Sequence, residues 1–229
     1  MINFFYLPLT IGVYIAAQFL QRKFKSPLLN PVLLSLAALI ALLFFAGIDY
    51  KNYNQFSSWL TELLKPSVVA LGVPLYLQLH TIKRELGQIL STVGISIVVA
   101  ITVSTAIALV LGASTEVAVS LSPKSVTTPI AVLISEQIGG QPSITAIAVI
   151  ITGLVGAVFG VPWLKILKIT NPKAQGIAMG TACHALGTAR IAEEGATQGA
   201  YSALSLVLSA IFCALLCPII VPLIIGFFG

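Results

Sequence analysis

An apolar segment, residues 117–137, is interrupted by Ser122-Pro123-Lys124-Ser125-Val126-Thr127-Thr128-Pro129. Each proline removes a backbone donor and ends regular helix, so the segment is predicted as two half-helices joined by a polar break. Thr128 is the predicted N-cap of the second half, with Pro129 at a first helical position. The break places a lysine and several hydroxyls inside an otherwise apolar stretch.

The composition excludes water as the main solvent of this chain. Of 229 residues, 58% are hydrophobic and 8% are charged, whereas about 25% are charged in an ordinary soluble domain. Charge-free windows are long enough for helices that cross a hydrocarbon core about 30 Å thick. We therefore predict one all-α integral membrane domain over residues 1–229. The net charge of +5 falls in short loops, which argues against nucleic acid.

The distribution of cations predicts the topology. The cytoplasmic loops are expected to hold Arg22, Lys23 and Lys25; Lys83 and Arg84; and Lys165, Lys168 and Lys173. Loop 49–57 and the C-terminus then lie on the other side. About six transmembrane helices follow, at 4–20, 28–47, 64–80, 88–111, 142–161 and 199–225. Because the span 142–161 must end at a basic loop, the segment 117–137 is predicted to be re-entrant.

A second broken segment is predicted at residues 174–194, which enter from the opposite side and are rich in glycine and polar residues. Irregular backbone at membrane depth requires protein or water around it, so two breaks predict a shared internal cavity. Opposed broken helices in an inverted arrangement are typical of secondary transporters. The predicted architecture is therefore transporter-like.

The loop cations are assigned first, and Lys51 and Lys65 are placed on the outer side and its interface. Two cations are then left, Lys124 and Arg190, and each lies in one broken segment. A charge near the bilayer centre costs at least about 2.5–3.5 kcal/mol, so such residues usually face a cavity. The natural ligand is an anion. The alternative is that both cations reach an interface, with Arg190 paired to Glu193 or Glu194 at helical spacing.

Ser122, Ser125, Thr127 and Thr128 surround Lys124, and a half-helix that begins there would direct free amides at a carboxylate. Plain capping of two kinked helices is the alternative.

His184 is either a hydrogen-bond donor or proton carrier, or a satisfied interior histidine. Cys183, Cys213 and Cys217 are expected to be free thiols, and no metal site or cofactor is predicted because further ligands at zinc spacing are absent. Phosphate-loop, zinc-protease and nucleophile-elbow motifs are also absent, so the chain is not expected to be an enzyme.

Two stretches resemble the LrgB/CidB family: Leu121-Ser122-Pro123-Lys124-Ser125-Val126-Thr127-Thr128-Pro129-Ile130-Ala131 and Met179-Gly180-Thr181-Ala182-Cys183-His184-Ala185-Leu186-Gly187-Thr188-Ala189-Arg190. The stretch from Lys65-Pro66 to Leu75-Tyr76 is similar as well. The resemblance implies one of two roles. Bacterial members are antiholin-like regulators of murein hydrolase activity and autolysis, paired with a small LrgA/CidA-type membrane protein. Other relatives move glycolate and glycerate, or are linked to pyruvate uptake.

The first hypothesis is a multi-pass secondary transporter of small monocarboxylates in the bacterial inner membrane. The predicted substrate-binding residues are Ser122, Lys124, Ser125, Thr127, Thr128, His184, Gly187, Thr188 and Arg190. The alternative is a holin-like or antiholin-like regulator of murein hydrolases. Expected partners are a small carboxylate anion, the lipid bilayer, an LrgA/CidA-type protein and a second copy of the chain.

Overall fold

The computed structural model describes residues 6–24, 29–63, 76–77 and 79–228. In these residues the secondary structure is helical, without strands. The helices are α1 (Tyr6–Phe24), α2 (Pro31–Phe45), α3 (Tyr50–Glu62), α4 (Leu79–Val110), α5 (Thr115–Leu121), α6 (Thr128–Gln137), α7 (Pro142–Ile166), α8 (Pro172–Ala192) and α9 (Ala196–Phe228).

The chain divides into two compact units, residues 1–70 and 71–229. In the first unit, α1 packs against α2 and α3. Thr10 and the hydroxyl of Tyr53 share a hydrogen bond of 2.8 Å. The rings of Tyr6 and Tyr53 meet edge to face with their centroids 5.8 Å apart. The expectation of a single domain over residues 1–229 stays a prediction.

The second unit is built around α8 and α9, which pack along each other; α8 also contacts α7 and α4, and α9 contacts α4 and α6. The core has an apolar stripe on α4 at a spacing of four residues: Ile89, Val93, Ile97 and Ile101 are at most 2% exposed. This stripe packs with Cys213, Cys217 and Val221 of α9. The helix–helix core therefore comes from one apolar face of each helix.

Three helices of the described chain are long and apolar enough to cross a membrane: Ile82–Val110, Pro142–Ile166 and Ala196–Phe228. Their outward faces are also apolar, as Ile95 at 66%, Ile147 at 59% and Leu215 at 63% exposure illustrate. Helices that are apolar on all sides suit a lipid environment. The membrane class is confirmed, while the count of about six spans and their inverted arrangement stay predictions.

The structure corrects two boundaries. Residues 49–57, predicted as a loop, lie largely in α3, a helix whose polar sequence gives no apolar window. Lys83 and Arg84, predicted in a loop before a span at 88–111, lie inside α4, which begins at Leu79. Lysine and arginine stems are compatible with the end of a membrane helix because the charged groups reach toward water. Most of the predicted span 64–80 lies outside the described residues.

Both predicted breaks are present as irregular backbone. Residues 117–137 form two short helices, α5 and α6, separated by a non-helical stretch at 122–127. Residues 172–192 form α8, which has a kink at His184, where φ is 42° and ψ is −138°. Whether either segment is re-entrant stays a prediction.

Candidate functional site

The break between α5 and α6 is held by its own turn-like hydrogen bonds. The amide of Lys124 donates to the Leu121 carbonyl at 3.3 Å, and the amide of Val126 donates to the Pro123 carbonyl at 3.2 Å. Thr127, not Thr128, is the N-cap of α6, and the Thr127 side chain makes no capping hydrogen bond. The prediction of Thr128 as the N-cap was wrong by one residue. The backbone at Thr127 is extended, with ψ of 145°, and the helix already begins at Thr128.

A buried polar network fixes the two half-helices against the start of α7. The hydroxyl oxygen of Thr145 lies 2.9 Å from the Ser120 carbonyl oxygen and 2.7 Å from Ser135 Oγ, within hydrogen-bond distance of both. The amide of Gln141 donates to Ser120 Oγ at 2.7 Å. Ser120, Ser135 and Thr145 are fully buried. Because each hydroxyl is satisfied, the network holds α5, α6 and α7 in one register, which places the intervening break.

Small residues on α7 allow α8 to approach closely. A methyl group on Gly153 would lie 2.6 Å from His184 Cε1, and one on Gly160 would lie 2.7 Å from Met179 Cε. Gly156 faces Cys183 in the same way. The small residues on this face of α7 therefore serve close helix packing.

His184 lies at the kink of α8 and is 5% exposed. Its Nε2 lies 2.9 Å from the Val149 carbonyl of α7, so this nitrogen donates the proton. A positive φ in a non-glycine residue costs about 1–3 kcal/mol and requires support from the surrounding structure. The hydrogen bond to Val149 and the space over Gly153 supply that support. The sequence left two alternatives for His184, a functional hydrogen-bond donor or proton carrier, and an interior histidine whose hydrogen bonds are made within the protein. The geometry corresponds to the second.

A cavity of about 910 Å³ lies between α4, the break at 122–127, α7 and α8. Its wall is mostly apolar, with Val155, Phe159 and Trp163 from α7. The polar groups on the wall come from Ser96, Lys124, Ser125, Thr152, Thr181 and Cys183. We call this space the Lys124 cavity. An apolar pocket with a few convergent polar groups is the usual form of a small-molecule site.

Lys124 is the cation of this cavity. Within the described residues no carboxylate lies within ion-pair distance of its ammonium group. The amine is therefore surrounded by apolar residues and hydroxyl-bearing side chains, without a partner charge from that part of the chain. A cation in such surroundings favours an anionic ligand.

The other predicted site residues do not all line the cavity. Ser125 does. Ser122 donates to the Val119 carbonyl at 2.7 Å and contacts Cys217 Sγ at 3.1 Å. Thr188 donates to the His184 carbonyl and contacts Ser202 Oγ, each at 2.9 Å. Gly187 lies against Met179 and Cys183. Thr127 and Thr128 are partly exposed at the start of α6. Their predicted role in binding stays untested.

Arg190 lies in the last turn of α8 and forms two ion pairs with residues that directly follow this helix. Its Nη1 lies 3.2 Å from Glu193 Oε2, and its Nη2 lies 2.8 Å from Glu194 Oε1. This is the interfacial alternative considered for the sequence. In this conformation Arg190 is not part of the wall of the Lys124 cavity.

Sequence reasoning missed several polar residues of this region. Thr152 and Thr181 lie on the cavity wall, and the Thr181 hydroxyl is buried without a hydrogen-bond partner among the described residues. A buried hydroxyl without a partner is uncommon. The quoted Met179–Arg190 stretch contains Thr181, but only the fold shows that this residue faces the cavity wall.

A second cavity, of about 420 Å³, lies beside the first and contains a charged cluster. Lys173 forms an ion pair with Glu85, and the Tyr201 hydroxyl donates to Glu85 Oε2 at 2.6 Å. The hydrogen bond to Glu85 raises the pKa of Lys173 above its ordinary value. The sequence places these charges at the cytoplasmic ends of separate spans, where nothing indicates that they pair.

The fold and the cavity define an integral membrane protein with apolar helices that pack around irregular, polar-lined segments. A model of the LrgB-like family matches residues 10–223, and the chain belongs to this family. The resemblance seen in the sequence is thus confirmed. This is not a known enzyme family.

Relatives share almost the full length of the chain. An uncharacterized protein of Haemophilus influenzae is 39% identical over 205 residues, 89% of this chain and 88% of that protein. The holin-like protein CidB of Staphylococcus epidermidis is 33% identical over 196 residues, and CidB of Staphylococcus aureus is 32% identical over 196 residues; in both cases 86% of each chain is covered. No solved structure matches.

Proposed function

We propose that this chain is a holin-like protein of the bacterial inner membrane that controls murein hydrolase activity and autolysis. The observation that carries the proposal is the similarity to two proteins named holin-like CidB, which extends over 86% of each chain. Helices of membrane-spanning length and apolar outer faces support the same role. An LrgA/CidA-type protein and a second copy of the chain are the proposed partners.

The experiment is inducible expression in a bacterium that lacks its own CidB-type protein, with and without the LrgA/CidA-type partner. Detergent-induced lysis and the murein hydrolase activity released into the medium are measured after induction. A holin-like protein should change the rate of lysis several-fold. An unchanged lysis rate and unchanged hydrolase release, at confirmed membrane levels of the protein, would contradict the proposal. An unrelated membrane protein at the same level is the control.

A second candidate function is the transport of a small monocarboxylate such as pyruvate, glycolate or glycerate. The specific observation in its favour is Lys124, which lines the cavity without a carboxylate partner in the described chain. A lysine held in apolar surroundings costs several kcal/mol unless an opposite charge compensates it. A substrate carboxylate would supply that charge. The hydroxyls of Ser125, Thr152 and Thr181 would bind the remaining oxygens of the ligand.

The wall of the cavity supports a ligand with a single charge, and the volume is sufficient for a small acid. A volume of about 910 Å³ holds an acid of two or three carbons with accompanying water. The apolar wall from Val155, Phe159 and Trp163 offers no ligand for a second charged group. The compensation of charge therefore falls on Lys124, because Arg190 is engaged by Glu193 and Glu194.

The deciding assay is uptake of labelled pyruvate, glycolate and glycerate into proteoliposomes. Lys124→Gln keeps hydrogen-bonding capacity and removes the charge, so we expect apparent affinity to fall about 30-fold or more, the effect of about 2 kcal/mol. Arg190→Gln is the matched control, since it also removes one cation from a broken segment but leaves the cavity wall intact. Equal uptake by the wild type and Lys124→Gln would exclude Lys124 as the anion site.

A further inference from the structure

The smaller cavity touches the Lys124 cavity along a common wall. Ser96 of α4 and Ala178 of α8 line both spaces. Both residues have small side chains, so little atomic volume separates the two cavities at this point. A small solute that occupies the smaller cavity is thus adjacent to the space that contains Lys124.

The smaller cavity is polar where the larger one is apolar. Glu85, Gln88, Thr92, Asn171, Lys173 and Tyr201 contribute to its wall. The charged groups of Lys173 and Glu85 remain reachable by water, with side-chain exposures of 37% and 30%. We call the smaller cavity the vestibule, because its polar and charged wall suits water and small ions, whereas the wall of the Lys124 cavity is mostly apolar.

The cluster at the vestibule ties three helices together. Glu85 belongs to α4, Lys173 to α8 and Tyr201 to α9. The ammonium group of Lys173 also lies 5.6 Å from the centre of the Tyr201 ring. Ser96 and Ala178 place an edge of the larger cavity between α4 and α8, so the cluster joins the same two helices that border this edge.

We propose that the Glu85–Lys173–Tyr201 cluster is the gate of the Lys124 cavity, and that a small carboxylate enters by taking the place of Glu85 on Lys173. The inference rests on the second candidate function, passage of a small anion. The exchange conserves charge at Lys173, because one carboxylate replaces another. Release of Glu85 loosens α4 from α8, and the anion can then move past Ser96 and Ala178 to Lys124.

Cys183 provides a reporter of access that does not depend on transport. It lies on the wall of the Lys124 cavity, whereas Cys213 and Cys217 are buried in the α4–α9 core. The experiment measures the rate at which Cys183 reacts with membrane-impermeant methanethiosulfonates in proteoliposomes of the full chain. An anionic and a cationic reagent of equal size are compared. Cys183→Ala identifies the labelled site.

Glu85→Gln and Lys173→Gln both remove the ion pair, and each should speed the labelling of Cys183 about tenfold, the factor that corresponds to 1.4 kcal/mol. The ratio of anionic to cationic labelling should be higher in Glu85→Gln than in Lys173→Gln. Lys165→Gln is the matched control, because its ion pair with Glu194 lies on neither cavity wall, and its rate should equal that of the wild type.

Equal labelling rates in all variants would overturn the gate, and so would the absence of Cys183 labelling throughout. Acceleration by Lys165→Gln to the same extent would overturn it as well. An unchanged ratio of the two reagents between Glu85→Gln and Lys173→Gln would exclude Lys173 as an anion site. If the wild type takes up no carboxylate but Glu85→Gln and Lys173→Gln still accelerate labelling, the transport function is refuted and the role of the cluster as a gate is supported.

Discussion

The contact between α8 and α9 can be tested by one methyl group. A Cβ on Gly180 would meet the Ser202 carbonyl oxygen and lie 2.9 Å from both Ser202 Cα and Ser202 C. These are backbone atoms, which cannot rotate away as a flexible side chain does. The substitution Gly180→Ala therefore forces α8 and α9 apart, at the helix that forms one wall of the Lys124 cavity.

The change in the free energy of unfolding caused by Gly180→Ala follows from two opposing contributions. Alanine gains about 1 kcal/mol over glycine within a helix. Overpacking costs about 1–3 kcal/mol and sometimes more, and contact with backbone places Gly180→Ala at the upper end. The net loss is about 2 kcal/mol, which corresponds to a decrease in Tm of roughly 4–8 °C for a chain of this size.

Gly87→Ala is the control, because Gly87 lies in α4, is exposed, and has no described atom within 4 Å of the position that a Cβ would take. In Gly87→Ala the higher helix propensity of alanine is not offset by overpacking, so Tm should rise by about 2–4 °C. Both Tm values are measured by thermal unfolding of the purified proteins in detergent, followed by far-ultraviolet circular dichroism, which reports secondary structure. Equal Tm values for the two variants would refute the close packing of Gly180 against Ser202.

Two further predictions concern the irregular backbone and the topology. At His184, where φ is 42°, glycine avoids a backbone strain of about 1–3 kcal/mol. The variant His184→Gly should therefore be more stable to unfolding than His184→Ala by about 1 kcal/mol. A greater stability of His184→Ala, as expected for an ordinary helix position, would contradict this. The topology can be tested by placing single cysteines and labelling intact cells with a membrane-impermeant thiol reagent. A cysteine that replaces Lys83 should be cytoplasmic, and one that replaces Ser114 should be periplasmic. A cysteine that replaces Gly140 should also be periplasmic if 117–137 is re-entrant, and failure of the external reagent to label it would indicate a full crossing.

The first break was predictable because its cause is local. Pro123 and Pro129 remove backbone donors whatever the rest of the chain does, and the structure ends α5 at Leu121 and begins α6 at Thr128. The ion pairs of Arg190 were foreseen as one alternative for the same reason, since residues three and four positions apart on a helix are neighbours.

The second break was located only to within a segment. Residues 174–194 contain no proline near the kink at His184. The kink depends on the fit of the His184 ring over Gly153 and on the Val149 carbonyl, which lie on another helix. No local pattern specifies such a contact.

By itself the sequence determined the membrane class, the family, the broken segment at 122–127 and the presence of Lys124 within it, because these depend on composition and on local backbone chemistry. The tertiary structure alone decided which polar residues share a space. Glu85 and Lys173 are 88 positions apart, and Thr181 meets Lys124 only through the cavity that both line. Contacts of that kind arise from how helices pack, and packing is a property of several apolar faces at once.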